Sequence, residues 1–178
     1  MSIKKGMVYV FTGDGKGKTS AALGVTVRAV CNEMKVGWVS WYKGGKWPIS
    51  EKKLPLKIKP EGRLKMYWLG EGFYKLPTDK ATPEEHKRAA SQALKKAEEL
   101  LGKVEVLVLD EVNKAIEDGL IEVKEVVDLI NKRGQVHLIL TGRGRDKRIV
   151  EAADLVTEMK KIKHPFGKGV RAVKGLDF

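Results

Sequence analysis

Glycines at 13, 15 and 17, followed at once by Lys18, Thr19 and Ser20, bring together the residue types that hold a polyphosphate. Closely spaced glycines let successive backbone N–H groups converge on an anion, a helix N-terminus adds partial positive charge, and a lysine and a hydroxyl complete the cradle. The usual pattern carries a further glycine, separated by four residues from the closing Gly-Lys-Ser/Thr; Thr12 stands there instead. A second chemical signal is Asp110-Glu111, at the end of an apolar run over 104–109. Beside a phosphate loop, such a pair has a defined role. Lys18 contacts phosphate oxygens, Thr19 ligates Mg2+, and Asp110 or Glu111 holds that ion directly or through water. Acidic residues after a strand also cap helices, so the pair carries this meaning only in combination with the loop. Arg143, in the turn Gly142-Arg143-Gly144-Arg145, is a third candidate, within reach of phosphate or simply paired at the surface.

These residues need elements to hold them. A β-branched and aromatic strand over 8–11 runs into the loop, and a helix over 19–33 leaves it. Further strands are expected at 35–42, 64–69, 104–109, 135–141 and 155–162, with helices at 122–132 and 149–154. Thr82-Pro83-Glu84-Glu85 reads as a capping box with proline at the first helical position, opening a helix that Gly102 can end. The 43–62 segment is loop-dominated, although Leu54, Leu56 and Ile58 alternate as in a short edge strand. Phe73 and Tyr74 lie in a flexible turn after the third strand, both with an exposed look. Strands alternating with helices imply one α/β domain over 1–178, a three-layer, P-loop NTPase-like (RecA-like) fold with a mainly parallel sheet.

Composition narrows the class. The 178 residues are 42% hydrophobic, enough for a core, and no apolar run reaches membrane-spanning length. With no secretory signal in view, a soluble, cytoplasmic protein is expected, without a membrane partner. Cys31 is the only cysteine, which excludes an internal disulfide; it reads as core beside Val27 and Val30. The net charge of +12 suits nucleic acid or an acidic small substrate. Because the charge is dispersed along the chain, a polyphosphate is favoured over nucleic acid. His86 is expected on an exposed helix face and His137 within a strand. Trp38, Trp41 and Trp68 read as core or interface, while Trp47, in the loop, is left open.

The run Thr12-Gly13-Asp14-Gly15-Lys16-Gly17-Lys18-Thr19-Ser20 resembles the Thr-Gly-Asn-Gly-Lys-Gly-Lys-Thr-Thr loop of the ATP:corrinoid adenosyltransferases of the phosphate-loop class. The likeness continues through Arg28-Ala29-Val30, Lys35-Val36-Gly37, Gly72-Phe73, Leu109-Asp110-Glu111, Thr141-Gly142-Arg143-Gly144, Ala153-Asp154 and Lys163-His164-Pro165-Phe166. It covers nearly the whole chain, and that family also lacks the first glycine of the loop. Two departures stand out. Asp14 replaces the usual asparagine, and Lys75 stands where some members carry a tryptophan. Only six residues precede Met7, leaving little room for the N-terminal arm that some members have.

The resemblance implies transfer of the 5′-deoxyadenosyl group of ATP to the Co(I) centre of a reduced corrinoid, with release of triphosphate. It assigns the triphosphate to Gly13, Asp14, Gly15, Lys16, Gly17, Lys18, Thr19, Ser20 and Arg143, with Mg2+ at Thr19, Asp110 and Glu111. Phe73 is implied on the corrinoid side, where an aromatic helps displace the lower axial ligand of cobalt(II); an aromatic merely packed under the turn is an even alternative, and Tyr74 fits the place equally. A reductase or reduced flavoprotein supplying electrons, and a homodimer, follow from the same family. Two rival functions stay open on the residues alone, a RecA-like nucleic-acid-binding ATPase and a corrinoid carrier without turnover.

Overall fold

The computed structural model describes residues 5–44, 49–58 and 61–177. Each expected strand forms, in most cases a little shorter than its run of β-formers: β1 (Val8–Thr12), β2 (Val36–Ser40), β3 (Leu64–Trp68), β4 (Val106–Asp110), β5 (His137–Thr141) and β6 (Leu155–Glu158). They make a six-stranded sheet in the order β3-β2-β4-β5-β1-β6. Every pairing is parallel. This is the α/β architecture expected from the alternation of strands and helices, and its consequence is simple. All the strand C-termini lie along one edge, where a ligand site belongs in an open α/β sheet.

Helices cover both faces. On one face α1 (Lys18–Cys31) and α2 (Leu54–Ile58) bring Ala22, Ala29 and Leu54 against Phe11, Trp38, Val108 and Ile139. On the other, α3 (Pro83–Leu100), α4 (Val112–Glu117), α5 (Val123–Lys132) and α6 (Lys147–Ala152) pack Ala93, Ala97, Val112, Leu129 and Ile149 onto Val10, Leu107, Leu109 and Leu138. The central strands β2 and β4 are buried along their whole length, as parallel strands between helical layers must be. Each such fully buried aliphatic side chain contributes about 1.5–3 kcal/mol. The capping box of α3 is present in both directions: the Thr82 hydroxyl accepts from Glu85 N at 3.2 Å, and Glu85 Oε2 accepts from Thr82 N at 2.7 Å.

Several sequence expectations are corrected. The 54–58 stretch is helix, preceded by a 3₁₀ turn at Ser50–Lys53, and not an edge strand. Pro55 suits a first helical turn, and Leu56 stands 76% exposed, so the alternation has no buried face to serve. Cys31 is exposed, because the inward line of α1 runs through Ala22, Thr26 and Ala29, and the last residue of the helix falls off it. His86 is buried, with Nε2 3.0 Å from both carboxylate oxygens of Asp79. Phe73 and Tyr74 are half-buried against the core rather than exposed. Helix α4 is an addition, directly after Asp110-Glu111. Strand β6 ends at Glu158 and is exposed throughout, as an edge strand can be. Trp38 and Trp41 are core, as expected. Trp47 lies outside the described residues.

Candidate active site

At the C-terminal edge of the sheet several strands end on a polar residue that is fully buried: Thr12 on β1, Ser40 on β2, Asp110 on β4 and Thr141 on β5. Register puts them side by side, Ser40 opposite Asp110 and Phe11 opposite Thr141. Asp110 is the hub. Its Oδ1 accepts from the Thr19 hydroxyl at 3.0 Å and the Thr141 hydroxyl at 2.9 Å. Its Oδ2 accepts from the Ser40 hydroxyl at 2.9 Å and pairs with Lys43 Nζ at 3.0 Å. A buried carboxylate needs this degree of satisfaction, since an unpaired one would be expelled or protonated.

The phosphate loop sits above the hub. Gly13 has φ +101° and Gly17 +115°, left-handed conformations that disfavour a side chain. At Gly13 and Gly15 a Cβ would also meet the Met159–Lys160 backbone at under 3 Å, so these glycines admit the close approach of the chain leaving β6. Gly15 N donates to Met159 O at 2.7 Å. The Thr12 hydroxyl donates to Gly144 O at 2.8 Å, tying the loop to the turn that carries Arg143. Lys18 Nζ is folded back on the carbonyls of Gly13 and Gly15 at 2.7 and 2.8 Å. Burial pushes its pKa below the ordinary lysine value, and Arg143 adds to that effect, while Glu111 and Asp14 oppose it. Lys16 pairs with Asp177 from the C-terminal tail. Asp14 and Ser20 are exposed at the rim, and Arg143 is exposed on the far side.

Glu111 occupies the N-cap position of α4 but makes no side-chain cap, which separates it from an ordinary helix-capping acid. Its backbone is left-handed, φ +65°, pinned by a hydrogen bond from its N–H to Thr141 Oγ1 at 2.9 Å. Such a conformation costs a non-glycine residue on the order of 1 kcal/mol and clusters at functional sites. Burial, followed by the adjacent Asp110 carboxylate, pushes Glu111 up to about 7, against the pull of Lys43, Lys18 and Arg143. Lys43 shows the reverse balance. Burial alone would lower its pKa, but Asp110 and Glu51 outweigh that and raise it.

The donor set suits a small hard cation. Hydroxyl and carboxylate oxygens of Thr19 and Asp110 meet at 3.0 Å, and the Lys43 ammonium already rests among oxygens there, acting as a stand-in cation. No group of three or more His, Cys, Asp or Glu among the described residues makes a protein-only metal cage. An ion here would complete its shell with substrate phosphate oxygens, which is the habit of Mg2+.

Two clefts open from this centre. One, of about 830 Å³, runs from Thr19 and Lys43 along Leu23 and Val27 of α1. The other, of about 700 Å³, lies among Lys18, Tyr42, Lys114, Arg143 and Phe166. Lys16, Phe73 and Glu111 line both. Phe73 is stacked on Tyr42 with ring centroids 5.6 Å apart and 18° between planes. Tyr42 in turn donates to Asp118 Oδ2 at 2.6 Å, and burial together with that bond holds its hydroxyl far above the usual tyrosine range. Tyr74 also lines the second cleft, with its ring 5.0 Å from that of His86. Sequence reasoning gave no part to Ser40, Lys43, Thr141 or Tyr42. Polar residues closing apolar strands mark Ser40 and Thr141; no local signal marks Lys43.

Known proteins resemble this chain along almost its full length. A family model described as ATP:corrinoid adenosyltransferase BtuR/CobO/CobP matches residues 4–178. The corrinoid adenosyltransferase of Escherichia coli K12 is 35% identical over 98% of this chain and 87% of its own length. One from Sinorhizobium is 37% identical, covering 98% of this chain and 81% of the relative. Among solved structures, the flagellar accessory protein FlaH of Methanocaldococcus jannaschii superimposes with a TM-score of 0.58 at 17% identity, over 88% of this chain and 72% of that one, a likeness of fold alone.

Proposed function

The chain belongs to the ATP:corrinoid adenosyltransferase family, and from that premise we propose how its own residues move an adenosyl group from ATP to a reduced corrinoid. The observation that best supports the reading is the pair of clefts meeting at Lys16, Phe73 and Glu111. A reaction between two bound molecules needs neighbouring cavities that join at the reacting atoms.

Co(I) is a strong nucleophile by itself, so no protein base is required. Its electron pair forms the cobalt–carbon bond at C5′ of the ribose as the C5′–O bond breaks, and triphosphate departs with the electron pair of that broken bond. What remains for the protein is to orient C5′, exclude water and stabilise the charge growing on the leaving group. Lys18 and the amides at the start of α1 face that charge, and Lys16, Ser20 and Arg143 add to the positive rim. Lys18 and Lys16 exchange their present partners, the Gly13 and Gly15 carbonyls and Asp177, for phosphate oxygens. Thr19 and Asp110 would hold Mg2+, with Glu111 beside them, and the ion would supply further neutralisation of the triphosphate. Phe73, held by Tyr42, faces the corrinoid, where an aromatic side chain displaces the lower axial ligand and eases reduction of cobalt(II).

The single α/β unit carries both substrates in this reading. A homodimer in the cytoplasm, fed electrons by a reductase or reduced flavoprotein, completes it; no described helix is long and apolar enough to cross a membrane. The test is anaerobic incubation with ATP, Mg2+ and chemically reduced cobalamin. The expected result is the spectrum of the cobalt–carbon product with one triphosphate released per adenosyl transferred. Orthophosphate release stimulated by DNA or RNA, with no corrinoid product, would overturn it in favour of an ATPase.

A further inference from the structure

Lys43 leaves β2 just beyond the sheet edge and turns its side chain inward, 10% exposed. Its ammonium lies 3.0 Å from Asp110 Oδ2, 3.1 Å from Glu51 Oε1 and 3.3 Å from Thr19 Oγ1. Two of these three oxygen-bearing residues, Thr19 and Asp110, are those assigned to Mg2+. We propose that Lys43 is a built-in counter-ion of Asp110 that competes with the divalent ion for the Thr19–Asp110 oxygens, with Glu51 as the carboxylate that retains the ammonium when it yields.

The physical ground is charge balance at a fully buried carboxylate. The Ser40, Thr19 and Thr141 hydroxyls satisfy Asp110 with hydrogen bonds but bring no charge. An ionised carboxylate away from water needs a cation as well, and without nucleotide Lys43 supplies it. A divalent ion arriving at the same oxygens meets a positive group a few Å away, in a region where screening is weak. Free ion is therefore held poorly. A triphosphate brings enough negative charge to accommodate both cations, so ion and nucleotide enter together. Lys43 need not travel far, since Glu51 Oε1 already lies 3.1 Å from the ammonium and keeps a charged partner for it.

The inference rests on the Mg2+ assignment under the proposed function, and the experiment separates the two. Mg2+ alone, without nucleotide, is titrated by calorimetry and by thermal shift into wild type, Lys43→Met and Lys43→Arg. Lys43→Met is expected to bind Mg2+ at least tenfold more tightly than wild type and to show the larger rise in Tm on adding it, from a lower metal-free Tm. Lys43→Arg, which keeps the charge, is expected to stay close to wild type. Should Lys43→Met fail to fold, Lys43→Gln retains a donor to Asp110 and is read in the same way. A neutral variant whose Mg2+ affinity is unchanged or weaker overturns the role of Lys43 as competitor. As a control, ATP binding to wild type is compared with Mg2+ and with chelator. Equal affinity in the two overturns the Mg2+ assignment and this inference with it, whereas a clear Mg2+ requirement beside an unaltered neutral variant overturns this inference alone.

Discussion

At the strand ends that border the cleft, Ser40, Asp110 and Thr141 are locked by the parallel ladder, and Thr19 stands on the first turn of α1; the strand residues are wholly buried. Across from them, Phe73 and Tyr74 hang on an irregular segment, half-buried, kept in place by the Tyr42 ring below and by the His86–Asp79 contact behind. The first side is a fixed array of charges and dipoles, and the second is a few side-chain contacts on a loop. The contrast matches what the proposed reaction asks of each side. Charge developing on a leaving group is best met by groups that need no reorganisation, whereas a bulky acceptor must enter, lose a ligand and leave, which calls for a segment of low local stability.

Removing the loop cation beside this array should cost most. Lys18→Ala is expected to lower adenosylation with Co(I) corrinoid by about 10²–10³-fold, the size of one lost charge-stabilising donor. Fold and Tm should be near wild type, because among the described residues the Lys18 ammonium bonds to its own loop. A loss below about fivefold, measured by product spectrum, would show that the loop is not preorganised for the leaving group.

Next in size is the half-buried acid beside that array, Glu111. Glu111 ionises near 7 in the folded chain against an ordinary 4.5, so its protonated form is favoured by folding. That contribution is complete below pH 4.5 and fades as pH rises to about 7, because the unfolded chain releases its proton first. The stability of wild type relative to Glu111→Gln should thus fall by up to about 3 kcal/mol between pH 4 and pH 8. Denaturant melts of metal-free protein at both pH values check it, and a flat difference would place Glu111 in contact with water.

The loop-borne side should give a smaller and more selective effect. Phe73→Ala is expected to leave ATP affinity unchanged and Co(I) transfer within a few-fold, while turnover from cobalt(II) corrinoid plus reductant drops by about tenfold or more, equivalent to some 1.4 kcal/mol. Equal losses with both oxidation states would assign Phe73 to packing. At the rim, Asp14→Asn should tighten ATP by only about two- to fivefold, the scale of an exposed charge, and the gain should shrink in high salt.

How far each side was legible in the sequence follows the same division. The loop at 13–20, the capping box at Thr82 and the strand ending in Asp110 are written in contiguous residues, and each forms where its pattern lies. The short stretches misled. Leu54, Leu56 and Ile58 alternate like a strand, yet with Pro55 in the first turn and Leu56 and Ile58 exposed they coil into α2. Cys31 is exposed and His86 buried, opposite to what their own segments suggest, because a helix face is decided by what packs on it, and that depends on distant chain: α1 turns Cys31 outward, and Asp79 reaches back to His86.

By itself the sequence determined the phosphate loop, the α/β alternation and the family, since these rest on local residue types and on a likeness spread over the whole chain. Only the tertiary structure decided the site as a physical object. The Thr19–Asp110 bond joins residues 91 apart, and Ser40 and Asp110 are 70 apart. Whether a polar side chain becomes a charge partner depends on which strand end lies beside which, and for Lys43 no local pattern carries that information. Parallel pairing sets it, by placing all the strand C-termini along one edge and closing water away from the carboxylate at its centre.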